Sequence, residues 1–313
     1  MKGQAYIPNF EFAREVIQAL ENRQPVVALE TALLTHGLPY PQNIQLSKEL
    51  ESEVRSQGAT PATIGGWHGK IVIGLSRDQI EYLGNPDAKT EKLSSRDISS
   101  AVALKQSGGT TVAATTFAAH TSRIQVFATG GIGGVHRNTP FDISADLIEL
   151  SRNPVIVVCS GAKAILDLPA TIEQLETLSI PVIGYETQDF PAFYSAQSGL
   201  TVKTSCNSSV EIAAVAKAHW EIGMSSAILV VAPPPEEYQI PSEMISGWIE
   251  QANIEAKNAV IRGAQVTPFL LKRVNELSGG KTLETNLALL KNNARIAACI
   301  ARELAGQPRQ FFV

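Results

Sequence analysis

The chain is short of several features, and each absence removes a class of chemistry. Only three cysteines occur, Cys159, Cys206 and Cys299. They are odd in number and far apart, with no Cys-x-x-Cys pair, so neither a zinc knuckle nor a disulfide framework is indicated. Cys159, at the end of an apolar strand, reads as a buried small hydrophobe rather than a catalytic thiol. The five histidines form no H-E-x-x-H, which excludes a zincin. No segment approaches the roughly 18 uninterrupted apolar residues of a membrane span. The stretch from Met1 to Phe10 has no long apolar core, so a secretory signal is not expected and the cytoplasm is the simplest compartment.

Charge is also sparse. Charged residues make up 18% of the chain, against about 25% in typical soluble domains. A large core, a subunit interface, or both would explain the shortfall. The net charge of −4 argues against a nucleic-acid partner and leaves room for a single phosphate in a local basic pocket. The glycine run Gly130-Gly131-Ile132-Gly133-Gly134 misses the dinucleotide pattern, because His136 stands where the third glycine belongs. A glycine-rich loop that lets backbone approach a ligand fits better, with His136 and Arg137 following at once. A tight structural turn with an exposed histidine is the competing reading.

What the chain does have is alternation. Apolar runs at Pro25–Leu29, Thr110–Ala114, Ile124–Ala128, Val155–Cys159, Val182–Tyr185 and Ala227–Ala232 read as strands, with Thr201–Ser205 as an edge strand. Thr63-Ile64 and Lys70–Ile73 read as a hairpin turned by Gly65–Gly69. Helical periodicity is expected over Phe10–Asn22, Pro41 to Gly58, Arg96–Gln106, Ser144–Arg152, Thr171–Leu178 and Val210–Gly223. The final third reads as helices over Ser242–Val260, Pro268–Leu277 and Leu283–Leu304, and the polar stretch Asn85–Ser95 as a loop. No repeat and no linker divides the 313 residues. The expectation is one α/β domain: a three-layer α/β/α sandwich, a largely parallel or mixed sheet, and a helical C-terminal third. Ligands in such sheets bind beyond the carboxyl ends of the strands, so polar residues just after strands are the ones to weigh.

Lys163 is the foremost of these. It follows Val155–Cys159 and a Ser160-Gly161 turn, among small and apolar residues. Such surroundings disfavour the ammonium form, and a neutral amine is a nucleophile toward sugar and carbonyl carbon. Glu30 directly follows the strand Val26–Leu29. Partial burial there would suit a proton donor, while an ion pair or a helix cap is an equal alternative. Asp142 and Asp146, four apart, either favour a helix N-terminus or offer a carboxylate to a hydrated hard cation. Lys92 with Arg96 could meet a phosphate, although charged loop residues are more often merely solvated. Asn292-Asn293 is unusual within a helix: inward polar work is one reading, an exposed helix face the other. His36 reads as a loop histidine.

Taken together, these residues resemble the pseudouridine-5′-phosphate glycosidase family, also called indigoidine-synthase-A-like. The matching stretches include Val27–Glu30, Thr35-His36-Gly37, Ser95–Asp97, Thr110–Ala113, Phe127–His136, Phe141–Asp146, Gly161–Lys163 with Ile165–Leu168, Pro191–Phe193, Thr267–Leu271 and Asn292–Ala294. The resemblance implies roles. Lys163 would be the nucleophile and Glu30 the proton donor. Asp142 would hold one divalent cation, usually Mn²⁺. Lys92, Val112, Ser144, Ala145 and Asp146 would contact substrate. His136 and one of Asn292 or Asn293 would line the pocket, with Asn293 carried as the site residue. It also implies a homotrimer. One departure is mild: Thr31-Ala32 follow Glu30 where Ser-Thr is expected, which retains one hydroxyl.

The implied reaction is reversible cleavage of the C–C glycosidic bond of pseudouridine 5′-phosphate to uracil and ribose 5-phosphate, through a lysine imine with the ring-opened sugar. It needs an amine well below its reference pKa of about 10.4. Two rivals remain at this stage. One is a C-glycosynthase joining ribose 5-phosphate to another aromatic acceptor. The other is a non-catalytic sugar-phosphate-binding protein on the same fold.

Overall fold

The computed structural model of the protein describes residues 7–137, 141–261 and 266–305. The expectation about a secretory signal rests largely on residues 1–6, outside the described ones. The chain opens with strand β1 (Phe10–Phe12) and helix α1 (Arg14–Glu21), then β2 (Val26–Leu29), a π-helical turn (Leu33–Gly37) and α2 (Gln42–Ser56). The hairpin of β3 (Thr60–Trp67) and β4 (Lys70–Ile73) precedes α3 (Arg77–Gly84), β5 (Glu91–Leu93), α4 (Ile98–Ala103) and β6 (Gly108–Thr110). The middle holds α5 (Val112–Thr121), β7 (Val126–Ala128), β8 (Val135–His136), α6 (Ala145–Arg152), β9 (Ile156–Cys159) and β10 (Leu166–Asp167). Then come α7 (Leu168–Thr177), β11 (Val182–Tyr185), β12 (Thr204–Cys206), α8 (Ser209–Glu221) and β13 (Ile228–Val231). Helices α9 (Ser242–Asn258), α10 (Val266–Leu277) and α11 (Lys281–Leu304) close the chain.

The main sheet has 11 strands, with the path β1-β4-β3-β2-β7-β9-β13-β11-β12 and the β5–β6 pair joined to β3. From β3 through β2 to β12 the ladder is parallel; β3 pairs antiparallel with both β4 and β6. The sheet is therefore mixed, and β8 with β10 forms a separate antiparallel ribbon. The central strands are buried on both faces, as crossover helices on each side require. Alternate residues go to opposite cores. Val26, Ala28, Phe127, Val157, Cys159 and Leu229 join one cluster with α1, α6 and α9. Val27, Leu29, Val126, Ile156, Val158 and Ile228 join the other with α8 and α11. This is the three-layer sandwich expected, with a helical final third.

Three local expectations fail. Residues Phe10–Phe12 are not the first turn of a helix. They pair with Ile71–Ile73 of β4, so the alternation Phe10/Phe12 is a strand signal that a helix-length window absorbs. Thr110–Ala114 is not a strand: β6 ends at Thr110 and α5 begins at Val112. The cause is that α5 is buried nearly all round, from Val112 to Ala119, so it carries no amphipathic stripe to announce it. Its one helical signal is the Thr111 side chain, which accepts the Ala114 N–H as an N-cap. Finally, Glu91–Leu93 is a short strand beside β6, not loop.

Candidate active site

The carboxyl ends of three adjacent strands supply the site. Leu29 of β2 sits opposite Ala128 of β7, and Ala128 opposite Val158 of β9. The chain leaving each strand delivers Glu30, Thr129 and Ser160 at one rim. The strand register thus sets their spacing before any side-chain contact is made.

Glu30 shares a recess with Leu29, Leu33, Leu46, Ala128 and Leu290. Burial raises its carboxyl above the ordinary value, opposed by the charge of Lys163, by the hydrogen bond that the Thr129 hydroxyl donates to Glu30 Oε1, and more weakly by Lys92; Asp146 adds to the upward push. Loss of hydration outweighs two nearby amines here, so the group keeps its proton to higher pH. Lys92 reaches solvent from β5, yet its amine is held below the usual lysine range, first by lost hydration and then by Lys163, with Asp146 and Glu30 opposing. Glu30, Lys92, Asp146 and Lys163 therefore act on one another electrostatically. They come from β2, β5, α6 and the turn after β9, and they bring two acids and two amines to one place.

Lys163 is half-buried and flanked by buried Ala162, Ala164 and Ile165. Its turn is laced to the glycine loop by backbone hydrogen bonds: Ser160 N–H to Gly130 O at 2.9 Å, Ile132 N–H to Gly161 O at 3.1 Å, and Lys163 N–H to Ile132 O at 3.1 Å. Gly161 has φ +86°, and a Cβ there would stand 2.3 Å from Pro191 O. Only glycine fits that turn. Arg137 splints the far side, donating from Nε to Leu166 O at 2.9 Å and from Nη2 to Ala164 O at 3.3 Å. His136 lies in β8 opposite Leu166, which brings its strand alongside the lysine turn.

Asp146 is 6% exposed, and both its oxygens accept backbone N–H groups: Ala113 at 2.9 Å and Gly133 at 2.7 Å. It pins the start of α5, with Val112, against the glycine loop. Ser144 caps α6 by accepting the Asp146 N–H at 3.2 Å, and Ala145 opens that helix with its side chain exposed. Asp142 is exposed, and its backbone carbonyl accepts the His136 N–H at 2.9 Å. No group of three or more His, Cys, Asp or Glu able to hold a metal occurs among the described residues. A cation here would therefore draw at most two such side chains among the described residues and complete its shell with other ligands. A hard, strongly hydrated divalent ion accepts that arrangement, so Asp142 fits one whose shell is mostly water.

The asparagine pair resolves clearly. Asn293 is fully buried and donates from Nδ2 to Thr129 O at 2.9 Å and to Ser160 Oγ at 3.2 Å. Asn292 is half-buried and turned to other partners, its Oδ1 accepting from Arg295 Nη2 at 2.9 Å and its Nδ2 lying 3.5 Å from Pro233 O. Asn293 thus ties the residue that bonds Glu30 to the turn that carries Lys163. Asn293→Leu leaves a buried carbonyl and hydroxyl unpaired, at a cost of about 1–3 kcal/mol each. A shift of the two loops by about 1 Å can cost about 100-fold in rate. The expected result is a lower Tm and a fall in kcat of about 10–100-fold, with Asn292→Ala close to wild type. Thermal melts and turnover on both variants check it.

Sequence reading had not singled out Thr129, Ser160 or the splint made by Arg137. The first two carry the signal that marked Glu30, a polar residue immediately after an apolar strand. His36, read as a loop residue, sits on the π-helical turn with Nδ1 2.7 Å from Thr35 Oγ1. Partial burial and the charge of Lys92 lower its pKa, against Glu91. Arg96 lies 3.5 Å from Asp97 and is mostly exposed. Cys159 is buried and its thiol is pushed up to about 12 by lost hydration, which leaves it inert.

Comparison with known proteins places the chain among relatives of one family. The family model for indigoidine synthase A-like proteins matches residues 15–303. Proteins named pseudouridine-5′-phosphate glycosidase from Caldanaerobacter subterraneus and Geobacillus kaustophilus are each 49% identical over 296 residues. The match spans 94% of this chain, with 96% and 98% of the respective relatives covered. Among solved structures, an indigoidine synthase A-like protein from Thermotoga maritima superposes with a TM-score of 0.87 at 37% identity, covering 97% of this chain and 99% of that one. The prealnumycin C-glycosynthase AlnA, solved in complex with ribulose 5-phosphate, gives 0.89 at 36% identity, covering 96% and 98%.

Proposed function

The chain belongs to the indigoidine synthase A-like family, and from that premise we propose that it is a pseudouridine-5′-phosphate glycosidase, reversibly cleaving pseudouridine 5′-phosphate to uracil and ribose 5-phosphate. The observation that carries the chemistry is that half-buried Lys163 and Glu30 act on one another at one rim, with burial raising the Glu30 carboxyl above its ordinary value. Its test is uracil release from pseudouridine 5′-phosphate, assayed with and without Mn²⁺. A folded protein that releases no uracil under either condition overturns the reading.

The base of this substrate is joined through carbon, so no glycosidic nitrogen can be protonated to make it leave. Glu30 gives its proton to the ring oxygen O4′ as the C1′–O4′ bond opens. The amine of Lys163 forms a bond to C1′. The nitrogen lone pair then drives cleavage of the C1′–C5 bond, the electron pair passing to uracil C5, which takes up a proton. The imine left at C1′ adds water, releases ribose 5-phosphate and restores the amine. Covalent capture divides one hard cleavage into easier steps. Lys92 supplies positive charge suited to a phosphate, and the start of α5 at Val112 and of α6 at Ser144–Asp146, tied together through Asp146, border the same place. His136 borders the pocket from β8. Asn293 acts by holding Thr129 and Ser160 in place.

One divalent cation per subunit, Mn²⁺ in this proposal, would be held by Asp142 and would offset phosphate charge and order water. Chelation is expected to lower turnover, Mn²⁺ to restore it, and Asp142→Ala to lose the restoration. Turnover indifferent to chelator contradicts the role. A homotrimer belongs to the same proposal, with a charged fraction of 18% that suits a subunit interface; sedimentation can check it, and the cytoplasm is the proposed location. No helix of the described residues is long and apolar enough to cross a membrane. The fold match to AlnA makes a C-glycosynthase the second reading. It would share the sugar half of the site and prefer another aromatic acceptor over uracil when run with ribose 5-phosphate.

A further inference from the structure

Thr31 follows Glu30 directly and is fully buried. Its hydroxyl donates to Ile64 O of β3 at 2.6 Å and accepts the Thr110 N–H of β6 at 2.9 Å, while its own N–H donates to Thr110 O at 3.3 Å. Thr31 and Thr110 therefore exchange two bonds as paired strand residues would, but one of the two acceptors is a side chain. The junction is close-packed: a Cβ on Gly109 would stand 2.5 Å from Thr31 O. Gly109 is also the register partner of Lys92 in β5. The residue after Thr110, Thr111, caps α5, whose Ala113 N–H donates to Asp146. One hydroxyl thus joins the segment bearing Glu30 to the segments that place Lys92 and Asp146. Lys163 is held by the separate lacing to the glycine loop.

We propose that Thr31 is a positioning residue, whose hydroxyl fixes the Glu30 carboxyl relative to Lys92 and Asp146 by joining the end of β2 to β6. The proposal rests on the glycosidase reading for its kinetic arm and on geometry alone for its spectroscopic arm. Ile64 O keeps a second donor, Thr110 Oγ1, at 2.8 Å. The amide of Thr110 has no such reserve. Without the Thr31 hydroxyl it becomes a buried unpaired donor, so the β2–β6 junction must shift to resolve it.

The test compares Thr31→Val, Thr31→Ser and Thr110→Val. Two readouts are taken: steady-state kinetics with pseudouridine 5′-phosphate, and the titration of the Glu30 carboxyl by infrared difference spectroscopy against Glu30→Gln. For Thr31→Val the expected results are a fall in kcat of about 30–100-fold with KM changed less than about threefold, and a Glu30 titration displaced from its wild-type position as the spacing to its charged neighbours changes. Thr31→Ser should restore both. Thr110→Val, which removes the neighbouring hydroxyl and its 3.4 Å contact with Thr31 Oγ1 but keeps the shorter Thr31 bonds to Ile64 O and the Thr110 N–H, should leave the Glu30 titration in place.

An unmoved Glu30 titration in Thr31→Val, or an equal movement in Thr110→Val, overturns the proposal. So does a Thr31→Ser variant that behaves like valine. If Thr31→Val does not fold, Thr31→Ala takes its place, since it leaves a gap instead of setting a methyl group against the Ile64 carbonyl. Failure of both to fold makes the hydroxyl a folding requirement and also overturns the proposal. A wild type that releases no uracil sinks the glycosidase reading, while the infrared arm still decides the positioning role.

Discussion

Lys163→Ala is expected to lower uracil release by at least about 10⁴-fold, as loss of a covalent nucleophile does, while the protein keeps its fold. The two halves of that expectation have separate causes. Activity falls because no other amine can replace the bond to C1′: Lys92 stands on β5 and approaches from another segment. The fold survives because the turn is held by backbone bonds, by Gly161 and by Arg137, none of which needs the Lys163 side chain. Circular dichroism and the melting temperature should match wild type. A variant that retains more than about 1% of turnover would deny the lysine its nucleophilic role.

Glu30→Gln is expected to cost about 10²–10⁴-fold in kcat, the range of general acid–base catalysis, and to raise the melting temperature at neutral pH. The stability sign follows from linkage. Burial raises the folded-state carboxyl pKa above its unfolded value, so the native state binds more protons than the unfolded one between those two values. Its contribution to stability is fully present below the unfolded pKa, is lost progressively as pH rises through that window, and is gone above the folded pKa. Glutamine removes the burden of a buried carboxylate and keeps an oxygen for the Thr129 hydroxyl. The catalytic sign agrees: a proton donor works only while protonated, so kcat should fall as pH rises through the raised pKa of Glu30. Glu30→Gln should abolish that alkaline limb. A variant that is less stable, or one with the limb intact, counts against the assignment.

Much of this was readable from residue order. An acid straight after an apolar strand and a lysine after a Ser-Gly turn mark the rim of a parallel sheet, and the fold brings Glu30 and Lys163 together there. The same rule applies to Thr129 and Ser160, but hydroxyls after strands are common and carry no sign of their own. Asn293 was visible as an oddity within a helix, yet which of the pair turned inward depended on the rotation of α11 against β7 and β9. Thr31 was legible only as a surviving hydroxyl; its partners Ile64 and Thr110 lie 33 and 79 residues away. Helix α5 escaped because burial on every side erased its periodicity, which turned Thr110–Ala114 into an apparent strand. Asp146 illustrates a different loss. Its spacing from Asp142 suggested one shared role, whereas both its oxygens are taken by backbone N–H groups and Asp142 alone faces solvent.

The most direct measurement is reduction with borohydride in the presence of ribose 5-phosphate, followed by peptide mass spectrometry. An imine on the catalytic amine should be trapped as a stable sugar-phosphate adduct on the peptide carrying Lys163, and Lys163→Ala should carry none. No adduct on an enzyme that releases uracil, or an adduct confined to Lys92, would contradict covalent capture at Lys163.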